Sequence, residues 1–169
     1  MKLRHDRTVI PLPARGAMTI VVVADTHSEP HPKAAKHIAA LQPDLILHAG
    51  DIGDLTILDG LAKLAPLIAV RGNIDDPSRA SGLPDVVTLS ITDGEHTMTT
   101  LLLTHIAVAG PRIRADAGRL ARAERASMVV CGHSHVPFLG RDRGLVAFNA
   151  GSVGPRRFRL PIVFGVIDV

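Results

Sequence analysis

The sequence predicts one α/β domain with two sheets, the first rich in parallel strands and the second in antiparallel strands. Strand-like and helical segments alternate up to Val70, which is the rhythm of βαβ units. Asp93-Gly94 then separates two β-rich runs, which is a strong hairpin signal. At 169 residues, of which 46% are hydrophobic, the chain is long enough to bury a core.

The first half is predicted as three strands and two helices in alternation. Residues 19–24 are β-branched and apolar on both faces, which indicates a central strand of a buried sheet. Pro43 and Pro66 stop two segments whose apolar residues recur at helical spacing. The predicted elements are a strand at 19–24, a helix at 33–41, a strand at 45–47, a helix at 55–64 and a strand at 67–70.

The second half is predicted as a hairpin, a helix and several short strands. Residues 86–91 and 97–104 form the hairpin, and its second strand ends at His105. The segment 111–125 sets apolar residues against Arg and Glu, which indicates a helix with a solvated basic face. Further strands are predicted at 127–131, around Phe138, at 145–148 and at 162–169.

Residues 18–169 are predicted to form the single domain, and residues 1–17 a flexible N-terminal extension. The extension is rich in charge and lacks an apolar h-region, so we expect no secretory signal. The longest apolar run is too short to cross a bilayer, and the single cysteine, Cys131, suits a reducing compartment. We therefore expect a cytoplasmic protein with no membrane partner.

Composition argues against nucleic acid as the main partner. The formal net charge is only +3, and the chain contains neither Trp nor Tyr. Proteins that bind single strands normally stack bases on aromatic side chains, and four Phe are poor material for that.

Residues of metal-ligand type follow the predicted strands. Residues two apart in an extended chain point the same way, so both ends of Asp-x-His and of His-x-His can reach one site. Carboxylate, imidazole and amide groups together are the ligand set of Mn, Fe, Zn or Ni. The residues are Asp25, His27, Asp51, Asn73, His105, His133 and His135.

Asp51 is the centre of this pattern. It follows the apolar run 45–47 and Gly50, at the carboxyl edge of a parallel sheet, and its nearest charged neighbours are also acidic. A carboxylate at a water-poor edge needs a cation partner or its pKa rises, so we expect that partner to be metal. Gly50, Gly72 and Gly132 each stand one residue before a proposed ligand, where the backbone is expected to turn tightly.

Taken in order, the motifs of residues 19–169 resemble the calcineurin-like metallophosphoesterase superfamily. The small size and the non-His residue at position 74 look most like its compact prokaryotic phosphodiesterase branch, to which the retromer subunit Vps29 is related. The resemblance implies a four-layer αββα fold, a two-sheet β-sandwich flanked by helices. The motifs are Asp25-Thr26-His27, Gly50-Asp51-Ile52-Gly53-Asp54, Gly72-Asn73-Ile74-Asp75, Thr104-His105, Gly132-His133-Ser134-His135 and Asn149-Ala150-Gly151-Ser152.

The same resemblance implies a metal-dependent phosphoesterase, and within it a phosphodiesterase that acts on a small phosphoester. It would use a dinuclear centre and a bridging water or hydroxide as nucleophile. Mn is the expected metal, with Fe, Zn or Ni as alternatives. Asp51, Asn73 and His105 would be catalytic. The first ion would be held by Asp25, His27, Asp51 and His135, and the second by Asp51, Asn73, His105 and His133.

Five positions bear on the substrate. Asn73, together with Arg156 or Arg157, would contact the phosphate. Ile74 stands where the larger superfamily usually has a histidine that acts as an acid, which predicts activity on esters with good leaving groups and poor activity on alkyl phosphomonoesters. Ile106 replaces a usual glycine and is expected to form an apolar wall near the site.

The alternative function is a non-catalytic metal-site scaffold or protein-interaction module of the Vps29 type. Ile74 favours it, whereas the presence of all four histidines favours the enzyme; homo-oligomer formation is left open. Asp54 is expected to cap a helix rather than bind metal. Asp75 either orients a ligand or caps a turn, and His48 is expected to be a hydrogen-bonded core residue.

Overall fold

A computed structural model describes residues 3–169, and its secondary structure is mainly β-strand with three short helices. The strands are β1 (His5–Pro11), β2 (Thr19–Val23), β3 (Leu45–His48), β4 (Leu67–Ala69), β5 (Val86–Asp93), β6 (His96–Thr104), β7 (Val108–Ala109), β8 (Arg112–Ile113), β9 (Met128–Cys131), β10 (Phe138–Asp142), β11 (Leu145–Asn149) and β12 (Gly165–Asp168). The helices are α1 (Ala34–Ala40), α2 (Thr56–Ala62) and α3 (Ala115–Ala123).

The smaller main sheet contains four strands in the order β12-β2-β3-β4. Strands β2, β3 and β4 are parallel, and α1 and α2 connect them, which confirms the βαβαβ unit predicted for residues 19–70. The C-terminal strand β12 pairs antiparallel with β2, so it completes the sheet formed by the first half of the chain. The prediction that the later strands form a separate sheet is wrong for this strand, because the open edge beside β2 is filled by β12.

The larger sheet contains six strands in the order β1-β5-β6-β9-β11-β10. The hairpin predicted around Asp93-Gly94 is confirmed, since β5 and β6 pair antiparallel and Asp93 lies opposite His96. The sheet is nevertheless mixed rather than antiparallel. Strand β9 lies parallel to both β6 and β11, because α3 carries the chain back to the same edge before β9 begins.

The N-terminal residues contribute an edge strand, so the prediction of a flexible extension is wrong for residues 5–11. Strand β1 pairs parallel with β5 over seven residues, from His5 opposite Val86 to Pro11 opposite Thr92. The Arg7 side chain also makes two hydrogen bonds to Glu124. Residues 1 and 2 lie outside the described residues, and the proposed domain boundary at residue 18 stays a prediction.

Three apolar clusters show that the fold has four layers. Successive residues of one strand alternate between faces, so Ile20 of β2 packs between the two sheets while Val21 packs against the helices α1 and α2. In the same way Leu101 of β6 faces the other sheet and Leu102 faces helix α3. The αββα sandwich implied by the resemblance is therefore confirmed.

One predicted helix begins later than the sequence suggests. Residues 112–113 form a two-residue strand with β7, and α3 starts only at Ala115. Among residues 3–169, no helix combines the length and the apolar character needed to cross a bilayer.

Candidate metal centre

The predicted ligands follow strands of both sheets and meet at one edge of the sandwich. Asp25 and His27 follow β2, Asp51 follows β3 and Asn73 follows β4, all from the four-stranded sheet. His105 follows β6, and the two histidines at 133 and 135 follow β9, from the six-stranded sheet. Because parallel strands share a carboxyl edge, the fold collects these side chains in one place.

Asp25, His27 and His135 form the first ligand group. The two Nε2 atoms lie 3.1 Å apart, and Asp25 Oδ1 lies 3.4 Å from His135 Nε2. Two ligands bound about 2.1 Å from one ion at tetrahedral or right angles would be about 3.0–3.4 Å apart, which these separations match. Asp25 Oδ1 is buried and finds no hydrogen-bond partner among residues 3–169, so this oxygen is left for a cation.

Asp51, His105 and His133 form the second group, and their ligand atoms lie within 4.8 Å of one another. His105 Nε2 is 3.1 Å from Asp51 Oδ1 and 3.1 Å from Asn73 Oδ1. Burial acts to lower the pKa of His105, but its hydrogen bond to Asp51 and the charge of that carboxylate outweigh burial and raise it. His105 Nδ1 donates to the Ala49 carbonyl at 2.7 Å, so the lone pair lies on Nε2 whenever the ring is neutral. Three acceptor atoms therefore converge, and this is the arrangement of a metal ligand fixed from its far side by a carbonyl.

Asp51 lies between the two groups. Its Oδ1 faces His105, and its Oδ2 lies 3.8 Å from His27 Nε2 in the first group. The backbone N–H of Ile74 donates to Oδ1 at 3.1 Å and fixes the orientation of the carboxylate. One side chain thus offers one oxygen to each group.

The protonation of the site suits cation binding. Burial and the positive charge of Arg157 lower the pKa of His135 to about 4, so its ring is neutral at pH 7. Burial raises the pKa of Asp25 to about 7. Burial also acts to raise the pKa of Asp51, but the hydrogen bond and charge of His105 outweigh it and lower that pKa. A side chain must lose its proton from the ligand atom before it binds metal. The His135 imidazole is already neutral, and a bound cation would favour the ionised form of the carboxyl groups.

Asp75 connects two ligand loops, which resolves the open question about its role. Its Oδ1 accepts hydrogen bonds from the backbone of Ile52 and Gly53, just after Asp51, and its Oδ2 accepts one from Gly72, just before Asn73. The side chain is 4% exposed. Asp75 therefore positions the backbone that carries two ligands rather than contacting the ligands.

Asn149 holds the loop that carries His133 and His135, a role the sequence analysis missed. Its Nδ2 donates to the Gly132 carbonyl at 2.6 Å and to Ser134 Oγ at 3.1 Å. Its Oδ1 accepts from the backbone of Gly151. An Asn at a strand end, two residues before a Gly, is the signal that points to this bond.

The glycines before the ligands are needed for close approach more than for turning. A Cβ on Gly72 would lie 2.1 Å from Asp51 Oδ1, and one on Gly132 would lie 2.8 Å from Asp25 Oδ2. Of the three glycines expected to turn, only Gly50 has a positive φ, of 90°. Any side chain at Gly72 would displace the carboxylate shared by the two groups.

The two arginines predicted to contact phosphate lie in different places. Arg157 Nη2 is 3.2 Å from His27 Nε2, at the first ligand group. Arg156 lines a separate cavity of about 360 Å³, together with Lys33 and His37. The structure therefore brings Arg157 to the site and leaves Arg156 outside it.

Three other residues lie near the site and outside the two ligand groups. Asp54 accepts from the backbone and hydroxyl of Thr56, the first residue of α2, but the N-cap of that helix is Leu55, so Asp54 lies one residue before the cap position predicted for it. His48 is fully buried, and its ring nitrogens contact Thr26 Oγ1 and the Gly50 N–H, which confirms a hydrogen-bonded core residue. Cys131 is buried, and burial raises its pKa to about 12, as expected for an inert thiol.

Comparisons with known proteins agree with this geometry. The family model of the calcineurin-like phosphoesterase superfamily domain matches residues 18–169. A probable metallophosphoesterase of Methanocaldococcus jannaschii is 34% identical over 142 residues, which cover 81% of this chain and 69% of that protein.

Solved structures with a similar fold include both Vps29 and a phosphodiesterase. A single mutant of Vps29 from Entamoeba histolytica gives a TM-score of 0.69 at 19% identity, covering 88% of this chain and 84% of that one. An archaeal phosphodiesterase gives a TM-score of 0.59 at 19% identity, covering 80% of this chain and 84% of that one. At these identities the likeness is one of fold.

Proposed function

This chain belongs to the calcineurin-like phosphoesterase superfamily, and from that premise we propose that it is a phosphodiesterase with a dinuclear metal centre. Asp25, His27 and His135 would hold one divalent ion, and Asn73, His105 and His133 the other. Asp51 would be shared between them. We expect Mn to be the metal bound in the cell and the substrate to be a small phosphoester.

The observation that carries the proposal is the orientation of Asp51. Its two oxygens face different ligand groups, at 3.1 Å from His105 Nε2 and 3.8 Å from His27 Nε2. A carboxylate serving one ion has no need of nitrogen ligands on both sides. Two adjacent divalent ions would polarise the phosphoryl oxygens and lower the pKa of a water held between them.

Two side chains of this protein would also contact the phosphoryl group of the substrate. Asn73 Oδ1 lies 3.1 Å from His105 Nε2, where it would share the second ion with that ring, and its amide nitrogen would donate to a phosphoryl oxygen. Arg157 lies beside the first group, where its guanidinium would bind a second phosphoryl oxygen and offset its charge. Neither role requires a proton to move.

The side chain at position 74 supports a diester with a good leaving group. Ile74 cannot donate a proton, although its backbone is bound directly to Asp51. An alkoxide leaving group would depart unprotonated at high cost, whereas a more acidic alcohol leaves readily as its anion. Hydrolysis of a diester also avoids the second negative charge of a monoester in this partly buried site.

The test is hydrolysis of bis-p-nitrophenyl phosphate by metal-stripped protein titrated with Mn²⁺. We expect activity that rises with Mn²⁺ and saturates at two ions per chain, and a loss of at least about 100-fold in Asp51→Asn, because that substitution removes one carboxylate oxygen from the centre. Asp59→Asn, an exposed aspartate on helix α2, is the matched control and should retain full activity.

Two results would count against the enzyme. One is the absence of hydrolysis with Mn²⁺, Fe²⁺, Zn²⁺ and Ni²⁺ alike. The other is an Asp51→Asn variant as active as Asp59→Asn. Either result, joined with near-zero metal content in the protein as isolated, would favour the scaffold that the likeness to Vps29 and the residue Ile74 suggest.

A further inference from the structure

We propose that Ile74 and Ile106 form an apolar subsite beside the metal centre that binds an uncharged aryl or hydrocarbon group of the substrate. The inference rests on the proposed phosphodiesterase function and adds a class of substituent to it. No charged or sugar-like group would be favoured at this position.

Both side chains are exposed although they are large and apolar. Ile74 is 46% exposed and Ile106 is 36% exposed, and each directly follows a proposed ligand. The preceding residues, Asn73 and His105, contact each other at 3.1 Å, so the two isoleucines flank one polar contact. Exposed apolar side chains grouped at the rim of a polar site are typical of ligand recognition.

The same pattern recurs at the first ligand group. Val136 follows His135 and is 45% exposed, and Phe158 follows Arg157 and is 91% exposed. An apolar residue thus follows site residues on both sides of the centre. This recurrence argues that the rim as a whole faces an apolar substrate.

The position of Ile74 is fixed by the site, and both isoleucines line cavities. The backbone of Ile74 donates to Asp51 Oδ1, so this residue cannot move away without releasing the shared carboxylate. Ile74 lines a cavity of about 490 Å³, and Ile106 lines a neighbouring one of about 350 Å³. Asp75 lines both, so the two cavities adjoin beside the turn that carries Asn73.

The charges around Ile74 exclude a second anionic group. Asp54 and Asp76 line the same cavity, and hydrogen bonds from Thr56 and Ser78 lower the pKa of each, so both carboxylates are ionised at neutral pH. Only one cation, Arg79, lines this cavity among the described residues. A substituent carrying a further phosphate would meet net negative charge there.

Leaving-group chemistry supports the same class of substituent. Ile74 provides no acid, so the group that departs must be stable as its anion. An aryl oxide meets this requirement, because the ring delocalises the charge, and the same ring is apolar enough to pack against isoleucine. The water gives one proton to solvent as its oxygen forms the new P–O bond, the aryl oxide leaves with the electron pair of the broken P–O bond, and solvent returns a proton to the aryl oxide.

Binding of non-hydrolysable phosphonates to the Mn²⁺-loaded protein tests the inference without relying on turnover. We expect phenylphosphonate to bind at least about 10-fold more tightly than methylphosphonate in calorimetric titrations, since each buried methylene is worth about a factor of four. Ile74→Thr and Ile106→Thr should each reduce this preference about 3- to 10-fold. Ile74→Leu should keep it, because the side chain stays apolar.

Val9→Thr is the matched control, since Val9 is 66% exposed on the edge strand β1, away from the ligands. Thermal melts establish that each variant is folded. Equal affinity for the two phosphonates, unchanged preference in both isoleucine variants, or the same loss in Val9→Thr would overturn the subsite. Failure of phenylphosphonate, methylphosphonate and inorganic phosphate all to bind would overturn the proposed function, and the subsite with it.

Discussion

Replacing Asp75 with Asn should destabilise the protein and weaken metal binding together. The carboxylate of Asp75 accepts three backbone hydrogen bonds, from Ile52 at 2.9 Å, Gly53 at 3.0 Å and Gly72 at 2.6 Å. An asparagine has one acceptor oxygen, which can keep the first two bonds. Its NH₂ group would then face the Gly72 N–H, and two donors cannot bond to each other.

The cost follows from those contacts. Losing one hydrogen bond to a charged acceptor is worth about 1.5–3 kcal/mol, and the two remaining bonds weaken when their acceptor becomes neutral. A neutral amide is cheaper to bury, which offsets part of this loss, so we expect the free energy of unfolding to fall by about 2–4 kcal/mol. Because the loops on either side of Asp75 carry Asp51 and Asn73, Mn²⁺ affinity should fall about 10- to 100-fold.

Urea unfolding with a chelator present measures the first effect, and calorimetric titration with Mn²⁺ measures the second. Asp76→Asn is the control, since Asp76 is exposed and its carboxylate bonds locally, to the backbone and hydroxyl of Ser78. It should change the unfolding free energy by less than about 1 kcal/mol and leave Mn²⁺ affinity unchanged. Equal effects of the two substitutions would refute the view that Asp75 positions the ligand loops.

Two further expectations concern pH and substrate binding. Burial lowers the pKa of His48 to about 3, so below pH 6.5 the unfolded chain takes up a proton that the folded protein refuses. His48 alone should therefore lower the free energy of unfolding by about 1.4 kcal/mol per pH unit from about pH 6 downward. In chelator-treated protein, His48→Gln should show a smaller dependence of the unfolding free energy on pH than the unchanged protein. Equal pH dependence in the two proteins would contradict the role given to His48. Arg157→Gln should lower kcat/KM for bis-p-nitrophenyl phosphate about 10- to 100-fold. Arg156→Gln should change kcat/KM less than about 2-fold. Equal losses in the two variants would mean that Arg156 also reaches the substrate.

The strands that carry the site are predictable because their signals are local. Strands β2 and β3 are short runs of apolar residues that end in Asp25 and Asp51, and a buried parallel strand gives that pattern without help from the rest of the fold. The turn at Gly94 is equally local, since a two-residue hairpin needs a residue that tolerates positive φ.

Strand β1 could not be predicted in this way. It is half exposed and lies at the edge of its sheet, so its sequence has no continuous apolar run to distinguish it from a loop. It forms because it pairs with β5, about eighty residues away, and because Arg7 reaches Glu124. Pairing at that distance is a property of the fold and leaves no mark on the local sequence.

The site, like the fold, combines features that the local sequence predicts with features that it does not. The proposed ligands can be selected by residue type at strand ends, whereas their assignment to two groups rests on the family resemblance and does not follow from the strand pattern. His133 and His135 are two residues apart, and an extended chain would point both the same way. In the structure they have φ of 70° and 58°, and they belong to different ligand groups.

A left-handed backbone is common to most of the proposed ligands. Such a conformation costs a non-glycine residue about 1–3 kcal/mol, so it persists only where surrounding contacts enforce it. Asp and His tolerate it better than most residues. The ligands with positive φ are Asp25 at 55°, His27 at 47°, Asp51 at 54°, His133 at 70° and His135 at 58°.

The contacts that enforce this backbone join the ligand loops to one another. The N–H of Asp25 donates to Gly50, and the N–H of His27 donates to Asp51, so the loops after β2 and β3 are paired through their main chains. The N–H of His133 donates to Asp25 Oδ2, which ties in the loop after β9. These contacts form when the chain folds, so the free-energy cost of ordering the ligand backbone is offset before a metal binds. A metal ion binding here would have little left to organise, and most of its interaction energy would appear as affinity.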